Sequence, residues 1–462
     1  MIDDLKPYPE YMDSSLPWLG RIPKHWDCLP HRAIFEEVKE QGHIDEQLLS
    51  VTIGKGVIRQ EDLLAESSKK DSSNLDKSKY KLVEPGDIAY NKMRAWQGAV
   101  GVSRYRGMVS PAYIVQRLRG ESRPDYFHHL FRTPGFTKEA ERWSYGITSD
   151  QWSLRPQHFK MIYSCVPPLD EQELIVGFLR DFDRQVRRFI RNRRRLIEVL
   201  NEQRRSIIRA LATQGTRTGV EMQNTALDQF PILPTHWEES RVKREFTNLD
   251  HKRIPLSTTV RGEMATREYD YYGASGVIDR VEGYIFDDEL LLIAEDGANL
   301  VLRNLPLAII ARGKFWVNNH AHILKPKRGN IEYFAHVLEL VDYRPWVTGA
   351  AQPKLTRERM MRVGIPAPPV EEQGEIVAAI NNETGTLTEG IAKAKREIDL
   401  IREYRTRLIA DVVTGKADVR HLAPTPGSED LEEMVDELEP LDGAAGELDQ
   451  EALAGEEVHA DD

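Results

Sequence analysis

The sequence contains very little cysteine. Its 462 residues include two, Cys28 and Cys165, which stand far apart along the chain. Two distant cysteines are too few for a disulfide framework or for a cage of thiolates around a metal ion. The cysteine content therefore favours a protein of the reducing cytosol.

Long apolar runs are also missing. The longest ones, such as Leu290–Ala294, are far shorter than the roughly 20 residues that a membrane-spanning helix needs. The first residues, Met1–Tyr11, have neither the basic start nor the apolar core of a secretory signal. We therefore expect a cytoplasmic protein that is neither secreted nor inserted into a membrane.

Two motifs of nucleic-acid enzymes are absent. The sequence has no GxxxxGK(S/T) loop to hold the phosphates of ATP. Its two Pro-Pro pairs stand in Val-Pro-Pro-Leu and Ala-Pro-Pro-Val, without the polar and aromatic residues with which an amino-methyltransferase holds a flipped base. We therefore expect a protein that is not an enzyme and has no catalytic residues.

The histidines form no convincing metal-binding set. His128 and His129 are adjacent, and His320 and His322 could share one face of a strand but lack an evident third ligand. We expect no bound metal ion.

Two groups of charged residues resemble catalytic acids only weakly. Glu295 and Asp296 precede a glycine, and Asp250 stands two residues before Lys252. Carboxylates in such loops more often form turns or cap backbone groups than act as an acid-base pair. We interpret both groups as structural.

Basic residues are absent from the last part of the chain. Residues 421–462 contain 15 Asp or Glu and no Lys or Arg, so the net charge of -11 becomes +4 for the preceding 420 residues. This composition predicts a disordered acidic tail. Because the remaining body is mildly basic, the acidity of the whole chain does not exclude a nucleic-acid partner.

An internal repeat divides the chain into two halves. The segment PPLDEQELIV at residues 167–176 matches PPVEEQGEIV at 368–377 in six of ten positions, at a shift of 201 residues. The motif IPKHW at 22–26 likewise matches LPTHW at 233–237. Each half therefore consists of a variable block followed by a constant block.

The constant blocks predict long helices. Apolar residues recur at steps of three, four or seven, which is typical of a helix packed along a partner. Prolines and acids precede each helix, and Gly215 and Gly415 stand at the ends. A helix over 172–213 would be about 63 Å long, whereas a 130-residue globule has a radius of gyration of roughly 14 Å. The second globular block connects the end of the first helix to the start of the second, and it is too small to span a helix length. These two helix ends should therefore lie together, so we expect the helices to be antiparallel.

These features predict a mixed α/β fold with a pseudo-two-fold internal repeat. Two globular domains are joined by two long antiparallel helices that form a coiled-coil spacer. The predicted parts are a first domain, a first helical region, a linker, a second domain, a second helical region and the tail, at residues 1–166, 167–214, 215–232, 233–367, 368–420 and 421–462.

The order of globular block, helix, globular block and helix resembles the specificity subunit of type I restriction-modification systems. The resemblance covers residues from about 10 to 420 and is carried by the paired helix starts, by IPKHW and LPTHW, and by the segment Tyr271–Leu300. The helix endings IIRALATQGT and LIADVVTGKADV are also similar to that family.

The resemblance implies two target-recognition domains that read a bipartite site in double-stranded DNA. It also implies two modification (methyltransferase) subunits and restriction (motor-nuclease) subunits as partners. S-adenosylmethionine would belong to the modification subunits, and ATP and magnesium to the motor, so this chain would bind no cofactor directly.

Candidate DNA-binding residues are amides, cations, aromatics and small hydroxyls, because these groups contact base edges and phosphates. In the first block they are Asn91, Lys92, Arg94, Trp96 and Gln97, and in the second Tyr271, Tyr272 and Ser275. The alternative for Trp96 and Tyr272 is an edge of the aromatic core. Gln151 and Gln352 coincide in the repeat, so we expect them to position a loop or touch a phosphate rather than specify a base.

Two other functions remain open from the sequence. One is a single-chain nucleic-acid-modifying enzyme with an unrecognised catalytic motif. The other is a coiled-coil scaffold without a DNA role, which would leave the cationic and amide clusters unexplained.

Overall fold

The computed structural model describes residues 5–65, 76–146, 152–296, 299–303, 305–349 and 353–422. These residues form two compact units. The first contains residues up to 193 and those from 396 onward, and the second contains residues 194–395. The predicted acidic tail lies outside the described residues, except for its first two positions.

The first unit mixes short strands and short helices ahead of a long helix. Its strands are β1 (Tyr11–Asp13), β2 (Arg21–Pro23), β3 (Asp27–Pro30), β4 (Phe35–Val38), β5 (Leu49–Thr52), β6 (Gly56–Arg59), β7 (Lys81–Val83), β8 (Ile88–Asn91), β9 (Val100–Val102), β10 (Gly107–Val109), β11 (Tyr113–Leu118) and β12 (Tyr163–Val166). Its helices are α1 (His31–Ile34), α2 (Gln60–Ala65), α3 (Pro124–Phe131), α4 (Pro134–Arg142), α5 (Pro156–Phe159) and the start of α6 (Leu169–Gln214).

The main sheet of the first unit has the order β4-β11-β8-β9, with every neighbour antiparallel. Its central strands are apolar, and Ile88, Ala89 and Val115 are fully buried. Helices α3 and α4 each begin with a proline, which fits a first turn because its N–H needs no partner there. The remaining strands form the two-stranded ladders β1-β2, β3-β12, β5-β6 and β7-β10.

A histidine lies in the aromatic core of the first unit. The ring of His31 contacts Phe35, Phe131, Phe136 and Phe159, with the last centroid 4.4 Å away. Its Nε2 is 2.8 Å from the Ser164 hydroxyl. Complete burial lowers the pKa of His31 to about 3, because the apolar surroundings disfavour the charged ring.

The two cysteines correct one expectation from the sequence. Cys28 on β3 lies directly opposite Cys165 on β12, the Cα atoms are 4.0 Å apart, and the two residues are joined in a disulfide. Their separation in sequence suggested no pairing, but an antiparallel ladder brings distant residues face to face. A single disulfide therefore closes the first unit's globular part.

The second unit repeats this arrangement with longer strands. Its strands are β13 (Met222–Asn224), β14 (Ile232–Pro234), β15 (Glu238–Arg241), β16 (Phe246–Asn248), β17 (Tyr269–Gly273), β18 (Gly276–Val281), β19 (Phe286–Ala294), β20 (Ala308–Val317), β21 (Ala321–Pro326) and β22 (Gly364–Ala367). Its helices are α7 (Val242–Glu245), α8 (Thr258–Gly262), α9 (Asn299–Leu302), α10 (Ile331–Leu340), α11 (Arg357–Arg362) and the start of α12 (Val370–Val413).

The main sheet of the second unit has the order β16-β21-β19-β20-β17-β18. Its first four strands match β4-β11-β8-β9 of the first unit, and the hairpin β17-β18 extends the sheet beside β20. Strand β13 pairs with β14 as β1 pairs with β2, so the repeat reaches into residues 215–232, which the sequence predicted as a linker.

Both predicted long helices are present, and the division between the units falls within each of them. In the first unit Asp183 accepts two hydrogen bonds from Arg405, at 2.8 and 3.0 Å, and Arg193 pairs with Glu397 at 2.8 Å. Positions rise along one helix as they fall along the other, so the predicted antiparallel packing is confirmed there. Within the described part of the chain, no helix has the length and apolar character needed to cross a membrane.

Candidate nucleic-acid interface

A buried carboxylate anchors the start of α6 to the globular part of the first unit. Glu171 accepts hydrogen bonds from the Tyr8 hydroxyl at 2.6 Å and from Trp26 Nε1 at 3.0 Å, and His25 Nε2 lies 2.6 Å away. Burial, with the hydrogen bond to Glu171, raises the pKa of Tyr8 above its ordinary value. The His-Trp pair of IPKHW is therefore a structural anchor for the helix.

The second unit repeats this anchor. Glu372 lies 2.9 Å from His236 Nε2 and accepts a hydrogen bond from Trp237 Nε1 at 3.2 Å. The next residue in each half, Gln172 or Gln373, accepts a hydrogen bond from a backbone N–H at the start of α3 or α10, at 2.8 and 2.7 Å. The repeated motifs thus fix each globular part against its own helix start.

The central strands of each unit meet loops at one edge of the sheet, which we call the loop edge. In the first unit β8 ends at Asn91 opposite Tyr113, where β11 begins. In the second unit β19 ends at Ala294 opposite Ala321, where β21 begins. The loop edge therefore occupies the same topological place in both units.

Four candidate residues of the first unit lie together at its loop edge. Arg94 Nη1 donates to Gln97 Oε1 at 3.2 Å, and Trp96 Nε1 donates to the Met93 carbonyl at 2.9 Å. The Trp96 ring meets Trp152 edge to face, with centroids 5.5 Å apart. Lys92, whose carbonyl accepts a hydrogen bond from Leu154 N at 2.8 Å, precedes them in the same loop, and all four side chains are half-buried.

Asn91 differs from these four residues because its side chain is buried, with 4% of its surface exposed. Its Oδ1 accepts a hydrogen bond from Met93 N at 2.9 Å, which forms a local turn. In this position Asn91 shapes the loop that carries Lys92 and Arg94.

The candidates of the second unit lie on the β17-β18 hairpin. Tyr271 is 2% exposed, and its hydroxyl accepts a hydrogen bond from Leu256 N at 2.9 Å, so it belongs to the core. Tyr272 is half-buried against Phe315, and burial raises its pKa. Ser275 stands in the turn of the hairpin.

The hairpin lies close to the loop edge. The Tyr272 carbonyl accepts a hydrogen bond from Asn318 N at 3.0 Å, and Glu295 N donates to the His320 carbonyl at 2.9 Å. Ala274 also packs against the apolar cluster that contains Ala294. Gln151 and Gln352 lie outside the described residues, so their predicted roles stay predictions.

A polar cluster at the second loop edge was missed in the sequence because its members are distant along the chain. The carboxylates of Asp250 and Glu295 and the ring of His322 offer ligand atoms within 4.8 Å of one another. His322 thus has the acidic neighbours that the sequence did not reveal. Arg253 contacts Glu295, and Lys354 Nζ lies 3.2 Å from the same carboxylate.

The ring nitrogens of His322, which are its only possible metal ligands, contact other protein groups. His322 Nδ1 lies 2.7 Å from Asp250 Oδ2, and its Nε2 lies 2.7 Å from the Leu355 carbonyl. Both ring nitrogens of His322 are therefore engaged by other protein groups in this structure. Burial raises the pKa of Asp250, but the hydrogen bond and charge of His322 outweigh it and leave that pKa below its usual value. The cluster is therefore an ion-pair network.

The sequence is similar to proteins that recognise DNA in type I restriction systems. The family described as "Type I restriction modification DNA specificity domain" matches residues 234–397. A putative type I restriction enzyme specificity subunit of Haemophilus influenzae is 34% identical over 143 residues, which cover 30% of this chain and 36% of that relative. A putative type I restriction enzyme specificity subunit of Methanocaldococcus jannaschii is 21% identical over 428 residues, covering 87% and 96% of the two chains.

The fold is also similar to a solved structure. A chain from work on complex assembly and conformational transition of the type I R-M system superposes with a TM-score of 0.55 at 14% identity. The superposition covers 85% of this chain and 98% of the other. The expected mixed α/β architecture with two long helices is thereby confirmed.

Proposed function

We propose that this chain, which is similar to the specificity subunits of type I restriction enzymes, reads a bipartite DNA site, with one unit on each half. One observation carries this proposal. The DNA specificity domain matches the second unit, and the first unit has the same four-strand order and the same glutamate anchor. Two similar readers in one chain suit two half-sites. The chain contributes recognition and no catalytic step.

The proposal extends to the partners. Two modification subunits would bind this chain and supply S-adenosylmethionine and methyl transfer. Restriction subunits would supply the ATP- and magnesium-dependent motor and nuclease. The assembled complex would act on DNA in the cytoplasm. The chain itself would hold no cofactor.

The function is tested by mapping DNA methylation in the host with and without this chain. We expect one modified bipartite motif, with an unspecified spacer, to disappear on deletion and to return when the gene is restored. An unchanged set of modified motifs in a host that expresses the modification subunit would contradict the proposal.

Incubation of the purified chain with S-adenosylmethionine and duplex DNA separates the two rival functions. We expect salt-dependent DNA binding without methyl transfer. Methyl transfer by the chain alone would favour a single-chain enzyme. Absence of DNA binding at low salt would favour a scaffold.

A further inference from the structure

A lysine occupies the loop edge in both units, but it comes from different segments. The two loop edges can be superposed through one hydrogen bond: Leu154 N donates to the Lys92 carbonyl at 2.8 Å, and Leu355 N donates to the Glu295 carbonyl at 2.7 Å. Lys92 in the first unit thus stands where Glu295 stands in the second.

The segment facing this position shows the opposite exchange. The residue before Leu154 is Ser153, and the residue before Leu355 is Lys354. The first unit therefore pairs a lysine at the strand end with a serine on the facing segment, whereas the second pairs a glutamate with a lysine. Each unit keeps one lysine at this point of its fold.

Lys354 is the exposed member of the ion-pair network. Its side chain is 54% exposed, against 17% for Arg253, 10% for Glu295 and 1% for His322. Its backbone is fixed by hydrogen bonds in both directions with Thr348, at 2.8 and 2.9 Å. Glu295 and the network beneath it thus hold a cation at the surface.

We propose that Lys92 and Lys354 are equivalent contacts to the DNA backbone, one in each unit, and that Glu295 positions Lys354. The proposal rests on the proposed DNA-reading function and assigns it two residues. A phosphate contact requires a cation at a given place, whatever segment supplies it, and carries no sequence information. This explains why the lysine is kept in both units while the surrounding residues differ.

The test measures binding of the full chain to a labelled mixed-sequence duplex at several salt concentrations. The slope of log K against log salt concentration is negative, and each lost phosphate contact reduces its magnitude by about 0.9. We expect this decrease for Lys92→Ala and for Lys354→Ala, and about 1.8 for the double variant. Lys354→Arg should retain the wild-type slope, because it keeps the charge.

Lys325→Ala is the matched control. Lys325 is also on the second unit, is 49% exposed and also pairs with an acid, Asp288. We expect its slope to equal that of the wild type. Thermal unfolding of each variant shows whether it is folded, and Lys354→Gln replaces Lys354→Ala if the latter is not.

Glu295→Gln tests the positioning role through the sign of its effect. Removal of a negative charge alone would tighten DNA binding, whereas loss of a support for Lys354 weakens it. We expect weaker binding by about threefold or more. Tighter binding would remove Glu295 from the proposal. An unchanged slope for Lys354→Ala, with salt-dependent binding by the wild type, would overturn the lysine assignment, whereas failure of the wild type to bind would overturn the proposed function.

Discussion

The two units share a four-strand order and a glutamate anchor, yet their equivalent interior positions hold different chemistry. In the first unit His31 and Ser164 form a buried polar pair, and in the second their counterparts are the apolar Val242 and Ile365. What is common to both units is the topology and the helix anchor. The interior residues at equivalent positions differ between the units.

The ladder at the base of each globular part shows the same pattern. Strands β3 and β12 carry the disulfide between Cys28 and Cys165, whereas the matching positions of β15 and β22 are Glu239 and Pro366. The first unit is thus closed covalently and the second by hydrogen bonds and packing alone. Equivalent substitutions in the two units should therefore have unequal effects.

The largest effect is expected from exchange of one globular part. Replacement of residues 237–366 by the matching block of a relative with a different target should change one half of the methylated motif completely and leave the other half unchanged. Each unit has its own sheet and anchor, so neither should need the other to read its half. Methylation mapping of the chimera measures this. A change in both halves would mean that the units do not read independently.

The next largest effect is expected from the disulfide. Breaking the bond between Cys28 and Cys165, which spans 137 residues, should lower the free energy of unfolding of the first unit by about 4–5 kcal/mol. Urea unfolding with and without a reductant, followed by hydrogen exchange in each unit, measures this loss. The second unit should not respond, and Cys28→Ser should abolish the response to reductant. Identical midpoints in both conditions would show that the bond contributes nothing.

A smaller effect distinguishes the two anchors. Glu171→Ala leaves three donors without their acceptor and should cost about 3 kcal/mol, whereas Glu372→Ala leaves two and should cost about 2 kcal/mol. Urea midpoints of each unit give both values. The glutamine variants keep an acceptor and should lose less. Equal losses at both sites would argue that the Tyr8 hydrogen bond adds no stability.

The smallest effect is the pH dependence that His31 gives to the stability of the first unit. The pKa of His31 is about 3 in the folded protein and about 6.5 in an unfolded chain, so the unfolded state takes up the proton first as the pH falls. Stability is therefore fully present above pH 6.5 and decreases below it, by about 2 kcal/mol at pH 5.

His31→Val, which introduces the residue found at the matching position of the second unit, should remove this part of the acid response. Burial also lowers the pKa of His129, to about 4, so some acid sensitivity of the first unit should remain. The difference between urea midpoints at pH 7 and pH 5 is the quantity to compare. The same difference in wild type and variant would exclude His31 as a cause.

The sequence predicted those features that repeat or follow a helical period. The long helices followed from the apolar spacing and from the shift of 201 residues between PPLDEQELIV and PPVEEQGEIV. Their antiparallel packing followed from the size of the globular block compared with the helix length. The roles of Glu171 and Glu372 did not follow, because an acid before a helix fits its positive first turn equally well without any partner.

Features that depend on distant contacts could not be predicted. Asp250, Glu295 and His322 were each considered as candidates in the sequence, but their proximity depends on the pairing of β19 with β21. Burial of Asn91 and Tyr271 was missed for the same reason, since residue type alone does not show which side of a strand faces the core. Lys354 could have been found by comparing the halves, because the shift of 201 residues places it at the position of Ser153, between the repeated glutamine and the repeated leucine.

The first unit is built from two separate segments of the chain, which determines the order in which the two units can fold during synthesis. Residues 194–395 form the second unit without a break, whereas the first unit needs residues beyond 396. Tyr126 donates a hydrogen bond to the Val413 carbonyl at 2.9 Å, and Gly415, with a φ of 75°, packs so closely that a Cβ there would lie 3.2 Å from Trp26. The first unit therefore cannot be complete until the end of α12 has been synthesised. The second unit, although its residues are translated later than most of the first, can be complete before it.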